Sequence, residues 1–238
     1  MADPGRTYGE RMDRARVLPA LALAVPGLAL AGAGLLHPSS LGYPTAQAWT
    51  VVHLVGLFVF PLVGLALVLL VRGRRDLLAW AVRLTAYGYA TAYTALDVVS
   101  GLAAGYVTRR IGPDQPRPEA VSFLFDVGGP LGQVGSWSLL LCSALLVVDG
   151  LVRLGAAGAP GLLLLPGAYL VHIDHIVAPA GASGMALVGV ATGWLAFAGS
   201  SDVPDEPGAA DGTDEPGQPG QPGQNSRWLG SSMPRRRS

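Results

Sequence analysis

The chain has no lysine. All 16 of its basic residues are Arg, they are matched by 16 Asp and Glu, and the formal net charge is zero. A balance of that kind offers no broad basic field, so nucleic acid is not an expected partner. Cysteine is nearly absent too. Cys142 stands alone, which excludes an intrachain disulfide and any Cys-based metal motif, and leaves a small packing residue as its expected role. Charge of either sign is scarce, at 13% of residues against about 25% in an ordinary globular domain. No H-E-x-x-H or similarly compact catalytic signature occurs.

What fills the chain instead is apolar. Half of the residues are hydrophobic and the mean hydropathy is +0.42. Six charge-poor runs stand out, at Val17–Leu36, Trp49–Val71, Leu84–Val107, Val127–Val148, Leu154–Ile173 and Ile176–Ser201. At 1.5 Å per helical residue, about 20 residues cross a hydrocarbon layer of roughly 30 Å. The expected fold is therefore all-α, a polytopic bundle of six transmembrane helices in a lipid bilayer. A cytoplasmic segment over 1–16 precedes the membrane domain at 17–201. A tail at 202–238 follows; acidic and rich in Pro and Gly, it is expected to be disordered and cytoplasmic. The first run follows Arg11, Arg14 and Arg16, as a signal peptide would. Its length favours a retained helix.

Orientation follows the arginines. Arg6, Arg11, Arg14, Arg16, Arg72, Arg74, Arg75, Arg83 and Arg153 fall on one side of a six-span chain, and Arg109, Arg110 and Arg117 on the other. The positive-inside rule puts the first group, and both termini, in the cytoplasm. Trp49 and Trp80 sit near span ends, as belt residues do. Trp137 and Trp194 lie within spans and are expected to pack inside. The fifth run carries Pro160 and Pro166. A re-entrant segment is an alternative there, leaving five spans.

In the third run Tyr89, Tyr93, Asp97, Gly101 and Gly105 recur every four residues, one helix stripe with a slow drift. A carboxyl group facing lipid is costly, so the stripe should face the bundle. Gly101/Gly105 and Gly189/Gly193 are G-x-x-x-G pairs. Such Gly-rich faces offer close contact to another helix, a second copy or a membrane partner.

The only four histidines all fall on the outer side: His37, His53, His172 and His175. His37 is about 31 Å up its helix from Arg16, and His53 about 28 Å from Arg72. Asp97 lies about 21 Å beyond Arg83, below that surface. Asp126 and Asp174 belong to the same end. Several readings are open. His37, His53, Asp97, His172 and His175 could ligate a divalent metal such as zinc, with His172 and His175 on one helix face at i,i+3. The protein would then be a metal-binding membrane enzyme. Asp97 with outer His could instead carry protons in a small transporter. The polar groups could also be structural, in a scaffold or accessory subunit. Bis-His haem would need two His facing each other across the bundle.

At His37-Pro38, Trp49-x-x-x-His53, Phe60-Pro61-Leu62 and His172-x-x-His175 the chain resembles uncharacterised multi-pass membrane proteins of actinobacteria. The abundance of Ala, Gly, Val, Pro and Arg, as in GC-rich genomes, agrees. The resemblance covers residues 17–200. It implies membrane residence and no particular activity.

Overall fold

The computed structural model describes residues 8–113 and 119–200, with side chains from residue 14 onward. These all belong to one compact unit, Met1–Val203. The expectation for the tail at 202–238 lies outside the described residues.

Among the described residues the fold is all-helical, without strands. Helix α1 spans Tyr8–Leu35, α2 Ala46–Leu69 and α3 Leu77–Leu96. Helix α3 runs through a π-helical turn, Asp97–Ala103, into α4, Ala104–Ile111. Helix α5 spans Glu119–Leu154, and a 3-10 segment, Gly155–Leu163, leads into α6, Leu164–Asp174. Helix α7 is Ala180–Gly199.

Four stretches are long and apolar enough to cross a membrane: Arg14–Leu35, Tyr43–Leu69, Glu119–Asp174 and Ala180–Gly199. That is fewer than the six expected, for two reasons. The α3–α4 rod carries Tyr, Thr and Ser residues and Asp97, which lower its hydropathy. The expected fourth and fifth spans form one continuous helical stretch, although the chain reverses within it. Gly155 makes that reversal with φ +56°, a conformation that costs glycine little. Beyond it a Cβ on Gly158 would lie 2.3 Å from the Gly150 carbonyl oxygen, and His172 bonds Ser136. The two limbs thus run antiparallel along their length.

The same antiparallel register recurs elsewhere. Gly64 faces Ala86 and Gly105 faces Thr50, pairing α2 with the α3–α4 rod. Gly27 and Gly189 meet between α1 and α7, where a Cβ on Gly27 would lie 2.6 Å from Gly189 Cα. Both G-x-x-x-G pairs are filled from within the chain. Gly101 and Gly105 take His53 and Thr50; Gly189 and Gly193 take the backbone of α1. The core between the helices holds Phe60, Tyr89, Tyr93, Leu139, Leu146 and Met185. Cys142 is fully buried there.

Leu18, Val25, Phe58, Tyr87, Val134 and Val152 are exposed around the outside. Large apolar area of this extent is unstable in water and suits lipid. The protein is a membrane protein. Trp137 and Trp194 are also exposed, contrary to the expectation of internal packing. Helix α5 buries Gly135, Ser136 and Leu139 around Trp137, and α7 buries Thr192, Gly193 and Leu195 around Trp194, which leaves both indoles on outer faces. Trp49 departs in the opposite sense. It is buried, not a belt residue, and its Nε1 donates to the Ser100 carbonyl at 3.0 Å. Trp80 is exposed, with the Arg83 guanidinium 5.1 Å from its ring centroid.

One end of the bundle is tied by charge. Arg74 pairs with Asp149 and with Asp76, and Arg153 reaches Asp149 at 2.8 Å. Asp149 is 4% exposed, so its two cations offset its loss of water. Asp76 accepts from Ala79 N at 3.0 Å and caps α3. Arg74 beside it holds its carboxyl down to about 2, so the cap stays charged at every ordinary pH. Arg83 donates to the carbonyls of Val71 and Arg74. The histidines lie at the other end.

Candidate metal centre

Three elements bring the site together. His53 comes from the second turn of α2, one turn after Trp49. Its Nδ1 lies 2.7 Å from the Trp49 carbonyl oxygen. A carbonyl only accepts, so Nδ1 carries the proton and Nε2 keeps its lone pair. Asp97 opens the π-helical turn after α3 and is 1% exposed. His175 follows the last residue of α6, with φ +50° and ψ −124°. A non-Gly residue there bears about 1–3 kcal/mol of strain, and such strain clusters at functional sites. His175 is half-buried, but both of its ring nitrogens are fully buried.

One ligand atom from each of His53, Asp97 and His175 lies within 4.8 Å of the other two. Around them the hydrogen bonding is incomplete. Neither carboxylate oxygen of Asp97 has a partner, and neither ring nitrogen of His175 has one. An unsatisfied buried polar group costs about 1–3 kcal/mol. Four such atoms in one place are expensive unless something binds to them.

Two glycines make the space. A Cβ on Gly56 would stand 2.1 Å from Asp97 Oδ2, and one on Gly101 would stand 2.3 Å from the His53 ring. Aromatic rings hold the imidazoles in place. Tyr93 stacks on His175 with centroids 5.1 Å apart and planes 7° apart. Phe60 stacks on Tyr93 at 4.8 Å. Trp49 lies 4.8 Å from the His53 ring. These contacts limit the rotation of both imidazoles.

His37, just past α1, packs its ring 5.0 Å from His53 and 6.2 Å from His175. Its Nδ1 donates to the Pro38 carbonyl at 2.7 Å, and its buried Nε2 has no partner. It adjoins the cluster of three without belonging to it.

His172 is placed differently. It hydrogen-bonds Ser136 at 2.9 Å and packs on Trp137 at 4.7 Å. The expected i,i+3 pairing of His172 with His175 does not form. Helix α6 ends at Asp174 and the backbone turns before His175, which sends the two rings different ways. Asp126 is exposed, and Asp174 only borders the neighbouring cavity.

The sequence reading missed Gly56, Phe60 and Tyr93 as parts of the site. Tyr93 was visible in the four-residue stripe, and Phe60 in the quoted Phe-Pro-Leu. Nothing in the spacing marks Gly56. A chain with 33 glycines does not advertise the one that faces a carboxylate.

In the comparisons with known proteins, the chain matches no family model, no curated protein and no solved structure.

Proposed function

We propose that the chain is a plasma-membrane protein that holds a divalent transition metal, zinc-like in its preferences, through His53, Asp97 and His175. The observation that carries this reading is the convergence of two imidazoles and one carboxylate, with both oxygens of Asp97 and both ring nitrogens of His175 buried without a partner. Imidazole and carboxylate together suit Zn²⁺ and neighbouring first-row ions. Bond lengths of about 2.0–2.1 Å in a tetrahedral site set ligand atoms roughly 3.3 Å apart. The present separations, up to 4.8 Å, need small side-chain rotations to close. The bond from His53 Nδ1 to a carbonyl is the outer contact that metal-bound imidazoles usually make. Three protein ligands leave a position for water, as in catalytic zinc sites.

The topology that goes with this reading has six spans and both termini in the cytoplasm. Arg72, Arg74, Arg75, Arg83 and Arg153 then face the cytoplasm, and the metal centre faces outward. Asp97 alone, buried and unpartnered, would also serve a proton-coupled transporter. The unpartnered nitrogens of His175 favour the metal.

Metal analysis of the detergent-purified protein tests the reading. About one equivalent of zinc or a related ion is expected. It should be lost in His53→Ala, Asp97→Asn and His175→Ala, and kept in His172→Ala. Protein that neither carries an ion nor takes up added Zn²⁺ or Co²⁺ would overturn it. Proton uptake coupled to a solute would then favour transport.

A further inference from the structure

A cavity of about 360 Å³ is lined by two of the three proposed ligands, His53 and His175. His37, His53 and His175 stand on one wall. Gln133, Ser136 and His172 of α5 and α6 also line it. A sphere of that volume is roughly 9 Å across, so one small molecule can touch both groups. Gly132 borders the space, and a Cβ there would meet only the Leu96 side chain, at 3.3 Å or more.

The protons on the second wall can be assigned. Ser136 Oγ donates its one hydrogen to the Gln133 backbone carbonyl at 3.0 Å. Toward His172 it must therefore accept, so His172 Nδ1 carries the hydrogen in their 2.9 Å bond. The lone pair of neutral His172 then sits on Nε2. His172 resembles His53 and His37 in that Nδ1 is already bonded to an oxygen, here the Ser136 hydroxyl on α5. Unlike them it stands apart from the cluster of three.

We propose that this cavity is the ligand site of the metal centre, admitting a small molecule that binds the ion through oxygen and donates a hydrogen bond to His172 Nε2. Hydroxamates and hydrated carbonyl compounds have this chemistry. An oxygen carries negative charge to the cation, and an N–H or O–H a few bonds away meets an acceptor. Trp49 and Tyr93 supply apolar wall for the rest of the molecule. The inference rests on the metal reading, since the ion supplies half of the recognition. His172 acts here as a ligand-binding residue and not as a metal ligand, which gives it a use that the cluster of three does not.

The test uses the full chain in detergent, loaded with Co²⁺ as a coloured stand-in for zinc and titrated with acetohydroxamate. A saturable change in the visible spectrum is expected as the coordination shell changes. Gly132→Leu, which fills the cavity, and His172→Phe, which keeps the ring against Trp137 without the acceptor, should each bind Co²⁺ as the parent does. Each should weaken acetohydroxamate at least tenfold. If Co²⁺ binds but its spectrum ignores acetohydroxamate, the ion is closed off and the inference fails while the metal reading stands. If both variants bind acetohydroxamate as well as the parent, the ligand reaches the ion another way and the inference fails. If no Co²⁺ binds at all, the metal reading falls and takes this inference with it.

Discussion

At the scale of single residues the site is held open by what its neighbours lack. Gly56 is the clearest case. Alanine there would press its Cβ on Asp97 Oδ2, now 2.1 Å from that position. The carboxylate is the free end of a side chain and can swing aside, so the helices need not separate. Gly56→Ala is expected to fold normally, with a melting temperature close to the parent's, and to bind Zn²⁺ at least tenfold more weakly by competition with a chromophoric chelator. A parent-like affinity would show that Asp97 is not a ligand. Asp97 itself gives a second expectation. Its unpartnered carboxyl group is a burden on the metal-free protein, because a buried ionisable group without a partner loses its hydration. Asp97→Asn removes the ionisable group. The metal-free variant should melt at or above the temperature of the metal-free parent. Added Zn²⁺ should raise the parent's melting temperature and leave the variant's unchanged, since an ion at 100 times its Kd stabilises by about 2.7 kcal/mol. Differential scanning fluorimetry in detergent measures both.

At the scale of elements, the four-residue stripe on the third run was legible and its geometry was not. An α-helix of 3.6 residues per turn advances about 40° for each four-residue step. Over the four steps from Tyr89 to Gly105 that drift would turn the last residue well away from the first. Yet Tyr89, Tyr93, Asp97, Gly101 and Gly105 are all buried. The π-helical turn at Asp97–Ala103 absorbs the drift, since i→i+5 bonding fits more residues into each turn. Sequence showed the stripe because periodicity survives in residue types. The π turn depends on how helices pack and leaves no mark in composition. The His pair failed for a similar reason. Its spacing implies a shared face only while the helix lasts, and α6 stops at Asp174. Pro160 and Pro166 do not interrupt the helical stretch: the first lies in the 3-10 segment and the second in the first turn of α6, where proline is tolerated. The π turn can be tested directly. Deleting the exposed Val98 should convert it to α-helix and, because the π turn holds one extra residue, leave Asp97 within about 30° of its place against Gly101 and Gly105. Deleting Val99 as well takes a residue from plain α-helix and should swing Asp97 by about a further 100°. Circular dichroism should report a helical protein in both, with metal binding kept in the single deletion and lost in the double. Metal kept in the double deletion would mean that the turn does not position Asp97.

At the scale of the whole molecule, the number of crossings decides which face the site presents. Membrane residence was legible because a lipid-facing helix needs a long uncharged run and little else. The count was harder, because two limbs joined at Gly155 form one continuous helical stretch, and because the α3–α4 rod buys its polar site with lower hydropathy. Length favours a full fifth crossing. Nine residues of 3-10 helix at about 2.0 Å and eleven of α-helix at about 1.5 Å give roughly 34 Å, more than a hydrocarbon core of about 30 Å. Register agrees, since the limb follows α5 from Gly158 beside Gly150 to His172 beside Ser136. A re-entrant segment would turn back before reaching that far. The lone cysteine makes the experiment simple. Cys142 is fully buried and its change to Ser leaves a chain without thiols. Single cysteines can then replace Ser40 between α1 and α2, Gly73 between α2 and α3, and Ser200 after α7. In intact cells an impermeant maleimide should label position 40 and spare positions 73 and 200 until the membrane is opened. Labelling of position 200 from outside, with 73 still protected, would leave five crossings and refute the six-span topology. Labelling of position 73 from outside, with 40 protected, would invert the protein and turn the metal centre toward the cytoplasm.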